Sequence, residues 1–195
     1  IISAAGPDTF LVLETPQTAE IREVSGGSLL KTIALTLPPS FRARSLENER
    51  VWHRVTVEGD LCAFESNQYA SICSLSQARE ILVVDNLRPD GLALLSDGMI
   101  VSNYGSVSRH DMSGEKTWTL IPPGLEKAFV FYDLPYGPDY HGGETSLVRL
   151  KGRFAALGGG GILWFGINGE ELGQVRMDSL VRTITGHPDG DVVYA

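Results

Sequence analysis

The stretch Leu92-Ala-Leu-Leu-Ser-Asp-Gly-Met-Ile-Val-Ser-Asn-Tyr-Gly-Ser-Val-Ser-Arg-His-Asp-Met-Ser-Gly114 sets out a complete alternation of strands and turns. Residues 92–95 form a short apolar run. Asp97-Gly98 follows, a pair suited to positive φ in a tight hairpin. Residues 99–102 give a second apolar run, and residues 106–111 a third strand in which polar and apolar residues alternate. Ser113-Gly114 makes another turn, and residues 116–120 a fourth strand. The same grammar returns in Leu147-Val-Arg-Leu-Lys-Gly-Arg-Phe-Ala-Ala-Leu-Gly-Gly-Gly-Gly-Ile-Leu-Trp-Phe-Gly-Ile-Asn-Gly169, followed by a strand over 171–177. At a constant offset of 55, Leu92 meets Leu147, Gly105 meets Gly160, Val107 meets Ile162 and Gly114 meets Gly169. One irregularity remains, a one-residue slip between Gly98 and Gly152.

Fainter copies flank these two units. Val55-Thr-Val-Glu-Gly-Asp-Leu-Cys-Ala-Phe64 repeats the first hairpin with Gly59 at its turn, and Ile81-Leu-Val-Val84 supplies the last strand. At the front, 10–13, 19–24 and 29–35 read as strands around Gly26-Gly27. At the end, Leu180-Val-Arg-Thr-Ile184 and His187-Pro-Asp-Gly-Asp-Val-Val-Tyr194 begin another unit. Four strands and three turns in roughly 40 residues match one blade of a β-propeller. The expected fold is therefore all-β, a propeller or partial propeller of about four four-stranded blades plus a stub. A β-sandwich is the alternative, but sandwiches do not repeat their turn chemistry in phase.

The Asp-Gly pairs and alternation in Asp97 to Gly114 and Pro188 to Tyr194 resemble the blades of NHL-type and quinoprotein-like propellers. The resemblance implies architecture alone, because that fold serves many functions. The Trp-Asp signature of WD repeats is missing, and Trp52, Trp118 and Trp164 are out of register with the quinoprotein Trp motif. A quinoprotein-like oxidoreductase is thereby disfavoured, and no cofactor is expected. The reading is one propeller-like domain over 1–195. Its units turn near Asp8, Gly59, Gly98, Gly152 and Gly190, and its two ends overlap in the strand they supply. That predicts an open or partly built propeller, or a part of a larger one completed by further blades from the same longer chain or a partner chain.

The sequence is 43% hydrophobic and 21% charged, with 22 Gly and 10 Pro, a composition that favours turns over long helices. The net charge is −8 and no Lys/Arg-rich run occurs, so the basic footprint that nucleic acid or anionic lipid requires is missing. No apolar stretch approaches the roughly 18 residues of a transmembrane helix. An extracytoplasmic location is the favoured expectation. Cys62 and Cys73 fall directly opposite each other if a hairpin turns at Asn67-Gln68, within disulfide reach. They are read either as a disulfide or as two buried free thiols. No CxxC or clustered His accompanies them, so no metal site is expected.

The largest interruption of the repeat is Tyr132-Asp-Leu-Pro-Tyr-Gly-Pro-Asp-Tyr-His-Gly-Gly-Glu144. Asp133, Tyr136, Asp139, Tyr140, His141 and Glu144 are its candidate ligand-binding residues. Tyr and His join apolar faces to hydrogen-bonding tips that suit a protein or carbohydrate ligand. His141 beside a carboxylate could also act as a general acid–base pair. Two functions follow: a non-catalytic binding or scaffolding module, or a propeller hydrolase or lyase with its site around His141. Arg109-His110-Asp111 reads as an outer-face or turn-capping set, since adjacent strand residues point to opposite faces. His187-Pro-Asp-Gly190 reads as a turn, and His53 has no identifiable partner. Gly158 to Gly161 lacks the Lys-Ser/Thr of a phosphate loop and reads as a sharp bend between strands.

Overall fold

Short β-branched and aromatic runs parted by Gly, Asn, Asp and Ser favour strands over helices. A computed structural model describes residues 1–37, 51–66, 69–85, 91–103, 106–121, 147–158, 161–177, 184–186 and 193–194. Among these residues every regular element is a strand.

The strands group into four sequential, four-stranded sheets. The first holds β1 (Ile2–Ala4), β2 (Thr9–Thr15), β3 (Thr18–Glu23) and β4 (Leu29–Ala34). The second holds β5 (Arg54–Glu58), β6 (Leu61–Glu65), β7 (Tyr69–Ser74) and β8 (Arg79–Asp85). In the third are β9 (Gly91–Leu95), β10 (Gly98–Asn103), β11 (Ser106–Asp111) and β12 (Lys116–Leu120). The fourth contains β13 (Leu147–Leu150), β14 (Arg153–Gly158), β15 (Gly161–Phe165) and β16 (Glu171–Arg176). A further pair, β17 (Thr185–Gly186) and β18 (Val193–Tyr194), follows. Neighbours within the sheets run antiparallel. This is the meander expected of a partial propeller with four blades, and four separate sheets exclude the sandwich.

The chain divides into two compact units. One comprises Ile1–Pro89, Leu94–Asp97 and Met112–Gly114, the other Asp90–Ala93, Gly98–Asp111 and Glu115–Ala195. In the first unit, Leu11, Ala19, Ile21 and Ile33 of the first sheet pack in one core with Cys62, Phe64, Cys73 and Leu75 of the second. Trp52, ahead of β5, is 1% exposed. Its ring lies 6.1 Å from that of Phe64, and its Nε1 donates to the Pro16 carbonyl at 2.7 Å. In the second unit Trp118 plays a similar part. Its Nε1 donates to the Ile167 carbonyl at 3.2 Å, and its ring meets Phe165 edge-on at 5.7 Å. The last strands β4 and β16 are largely exposed, whereas β7 and β9 are buried throughout.

The one-residue slip in the repeat has a structural cause. The β9–β10 turn is Ser96-Asp97, and Gly98 already belongs to β10, opposite Asp111. A Cβ on Gly98 would run into the carbonyl oxygen of His110, so glycine is needed for close approach rather than for turn geometry. Gly152 is the true turn glycine, at φ +73° with open space around it. The two glycines thus occupy neighbouring positions of one hairpin and answer different demands. Gly114 and Gly169 do correspond, both at φ +84°.

These roles predict opposite tolerance. Gly98→Ala should lower unfolding free energy by on the order of 3 kcal/mol, because the clash is with backbone. Gly152→Asn should cost under about 1 kcal/mol, because Asn accepts the left-handed region. Urea unfolding of the two variants beside the parent checks both values, and equal losses would refute the assignment.

Candidate functional site

The insertion that carries Asp133, Tyr136, Asp139, Tyr140, His141 and Glu144 lies outside the described residues. β13 starts at Leu147, opposite Ala156 of β14, and Gly158 of β14 pairs with Gly161 of β15, the first and last glycines of the four-glycine run. A Cβ on Gly161 would strike the Val175 carbonyl oxygen, which accounts for one of the four glycines.

Among the described residues, the second sheet holds a buried carboxyl that the sequence did not single out. Glu65 ends β6 and is 3% exposed. It sits directly opposite Arg54 of β5. Thr56 Oγ1 donates to its Oε1 at 2.7 Å, and Arg54 Nη1 lies 3.7 Å from its Oε2. Its main chain is held too, since His53 N donates to the Glu65 carbonyl at 2.7 Å. Burial pushes the Glu65 carboxyl above its ordinary pKa, opposed by the Thr56 hydrogen bond and the Arg54 charge. The available signal was a charge in the strand Leu61-Cys-Ala-Phe-Glu65, at a position sharing a face with buried Ala63.

A second polar pair lies in the third sheet. Ser108 Oγ and His110 Nε2 stand 3.0 Å apart on one face of β11. Both are buried, at 3% and 7% exposure. The expectation of an outer-face set at 109–111 is corrected here for His110: both faces of β11 are covered, with Val107 as buried as Ser108. The turn-capping part holds for Asp111, whose Oδ1 accepts from Glu115 N at 3.1 Å. A serine beside an imidazole is the start of a nucleophile–base pair. Here the two are enclosed within a sheet, where they satisfy each other as core polar groups.

Asp60 works as a turn lock. It accepts from Ser74 Oγ at 2.7 Å, Ser76 Oγ at 2.9 Å and Ser76 N at 2.7 Å. The Ser74 hydroxyl foremost, then the Ser76 contacts and Lys31, outweigh burial and hold its carboxyl below the usual range. Cys62 and Cys73 face each other across β6 and β7, fully buried, with both thiols free. His53 is exposed, while His187 and Asp189 lie outside the described residues. Among the described residues no group of three His, Cys, Asp or Glu side chains could hold a metal ion, and no helix is long and apolar enough to cross a membrane.

No protein-family model matches the chain, and no curated protein matches it in sequence. Solved structures do match in shape. BamB from Moraxella catarrhalis superposes with a TM-score of 0.61 at 18% identity, over 94% of this chain and 52% of BamB. Hsv2 from Kluyveromyces lactis gives a TM-score of 0.57 at 13% identity, over 99% of this chain and 55% of Hsv2. BBS1N, solved in complex with ARL6DN, gives 0.58 at 12%, over 93% and 54%. Identities this low show the fold alone, and that fold is a β-propeller built of four-stranded blades. The chain spans about half the length of each of these structures.

The raised carboxyl predicts a pH dependence with a definite sign. Because the folded pKa of Glu65 exceeds the unfolded one, ionisation opposes folding. The cost is absent below the ordinary glutamate value of 4.5 and grows as pH rises through the folded pKa. Glu65→Gln keeps an acceptor for Thr56 and removes this dependence. The urea midpoint of the parent should therefore fall relative to that of Glu65→Gln as pH rises from 4.5 towards neutrality. A difference constant with pH would rule out the charge as the cause.

Proposed function

We propose that this chain is a non-catalytic binding or scaffolding part of a β-propeller, presenting its 133–144 insertion to a protein or carbohydrate ligand. The observation that carries the reading is the contrast between frame and insertion. Four sheets repeat one meander, and the longest stretch of sequence between successive described strands, from β12 to β13, concentrates Tyr136, Tyr140, His141 and three carboxylates. A connection on a rigid sheet frame is where recognition residues are best placed. Tyr side chains add contact area at little conformational cost, and acidic neighbours suit a partner surface rich in Lys or Arg.

Burial supports binding over catalysis at the described positions. Glu65, Ser108 and His110 have catalytic side-chain types, yet each is closed off from solvent and engaged by its own sheet. Protein recognition is in keeping with a similar structure, BBS1N, having been solved in complex with ARL6DN. The β17–β18 pair and the doubled length of the matched structures support a larger ring. Further blades would come from the same longer chain or from a partner chain.

A loop exchange tests the reading. Replacing residues 133–144 by a Gly-Ser linker of equal length should leave unfolding free energy within about 1 kcal/mol, since surface connections contribute little to stability. It should abolish binding to every glycan-array or photo-cross-linked protein ligand that the parent captures. Retention of those ligands would remove the insertion from the site. A parent that turns over chromogenic ester or glycoside substrates, with turnover lost in His141→Ala alone, would replace the module by a hydrolase.

A further inference from the structure

From the pairing of β6 with β7 we infer that Cys62 and Cys73 form a redox-convertible lock, a dithiol that closes into an intrachain disulfide without a change of strand register. The register puts the two residues directly opposite each other, so both side chains project from one face. The class of pair follows from its neighbours. Leu75 N donates to the Asp60 carbonyl at 2.8 Å, and Ser66 N to the Tyr69 carbonyl at 2.9 Å. Alternation along the ladder then makes 62/73 a hydrogen-bonded pair, for which Cα atoms stand about 5.5 Å apart. Disulfides span roughly 4.4–6.8 Å between Cα atoms, so the Cα separation admits the bond, while the Cβ atoms, about 5.5 Å apart in such a pair, must draw in towards about 4 Å by a local adjustment of the two strands.

The surroundings decide when the bond can form. Both cysteines are 0% exposed and lie in the seam where the second sheet packs on Leu11, Ala19, Ile21 and Ile33 of the first. Ser71 Oγ approaches Cys73 Sγ at 3.6 Å from the same face. The Cys73 thiol, and burial after it, push the Cys62 thiol far above its ordinary pKa. In the closed seam the Cys62 thiol is therefore held protonated, and both cysteines are out of reach of small disulfides. Reaction belongs to folding, or to a local opening of the seam.

The chemistry balances with a small-molecule disulfide such as oxidised glutathione. A thiolate of one cysteine attacks a glutathione sulfur, the glutathione S–S bond breaks, and one glutathione thiolate leaves. The second cysteine, giving up its proton to solvent, attacks the mixed disulfide and displaces the other glutathione. The protein has lost two hydrogens and two glutathione molecules have been reduced. Once the seam closes, the state set at folding is retained, because the same burial that blocks oxidation also blocks reduction.

The test uses the intact chain, held in graded oxidised-to-reduced glutathione at urea concentrations below its unfolding midpoint, then alkylated and mapped without reduction. The expected product is a monomer lighter by two hydrogens, with Cys62 and Cys73 peptides joined, an unchanged far-ultraviolet dichroism spectrum and a higher urea midpoint. Without urea, conversion should slow by on the order of tenfold or more, as the seam rarely opens. Cys73→Ala should give no joined peptide, and the parent result decides alone if that variant does not fold. Alkylation of both thiols at every ratio overturns the inference. So does glutathione retained on either cysteine without an internal link, or a linked species that has lost the native spectrum.

Discussion

A sheet that is apolar on both faces cannot stand alone in water, and the packing of the second four-stranded sheet on the first is the interaction on which the first unit depends. Residues of β7 are buried at every position, which an antiparallel sheet with one wet face would not allow. Burying each Leu, Ile or Phe contributes roughly 1.5–3 kcal/mol. The seam between the first and second sheets gathers Leu11, Ile21, Ile33 and Phe64 in one place. The indoles serve the same requirement. Trp52 and Trp118 each fill a space beside a neighbouring sheet, and each donates its ring N–H to a turn carbonyl there, Pro16 in one case and Ile167 in the other. A large apolar group and a satisfied polar tip are both needed at such a place.

Glycine answers two different demands in these sheets. Gly98 and Gly161 meet the carbonyl oxygens of His110 and Val175, where any Cβ would collide. Gly114 and Gly169 solve a different problem, the left-handed residue in a turn. Sequence alone shows a repeated glycine in both cases.

That difference marks how far the fold could be read from residues. Strand positions and sheet count were legible because each turn carries its own chemistry and each strand its apolar run; β9 to β12 and β13 to β16 fall where the in-phase repeat placed them. The first strand was harder. Ile2–Ala4 is too short to show a period, and only its pairing with Phe10 to Val12 makes it a strand. The cysteine register was legible because it follows from one hairpin centre, whereas the redox state depends on chemistry outside the chain. Glu65 and His110 were not legible as buried polar groups. An alternating pattern assigns polar residues to a wet face, and here neither face is wet. Burial in this fold is decided by the neighbouring sheet, on which a single strand's sequence carries no information. The 133–144 candidates fall outside the described residues, so for them the sequence remains the only guide.

The same constraint separates the polar residues into two kinds. Those enclosed between strands must be satisfied by partners in their own sheet, as Glu65 is by Thr56 and Arg54, and Ser108 by His110. A group held in that way has its lone pairs and protons committed, and recruiting it for an external ligand would leave a buried partner unpaired, at a cost of about 1–3 kcal/mol. Asp60, exposed, is committed as well, closing a turn with Ser74 and Ser76. Polar side chains with capacity to spare therefore lie away from these buried strand positions. The insertion at 132–144 is the largest interruption of the repeat, lying between the matching 92–114 and 147–169 units. Buried strand residues already engaged in their own sheets are poorly placed for recognition, which on a rigid frame is carried by connections more often than by the strands themselves.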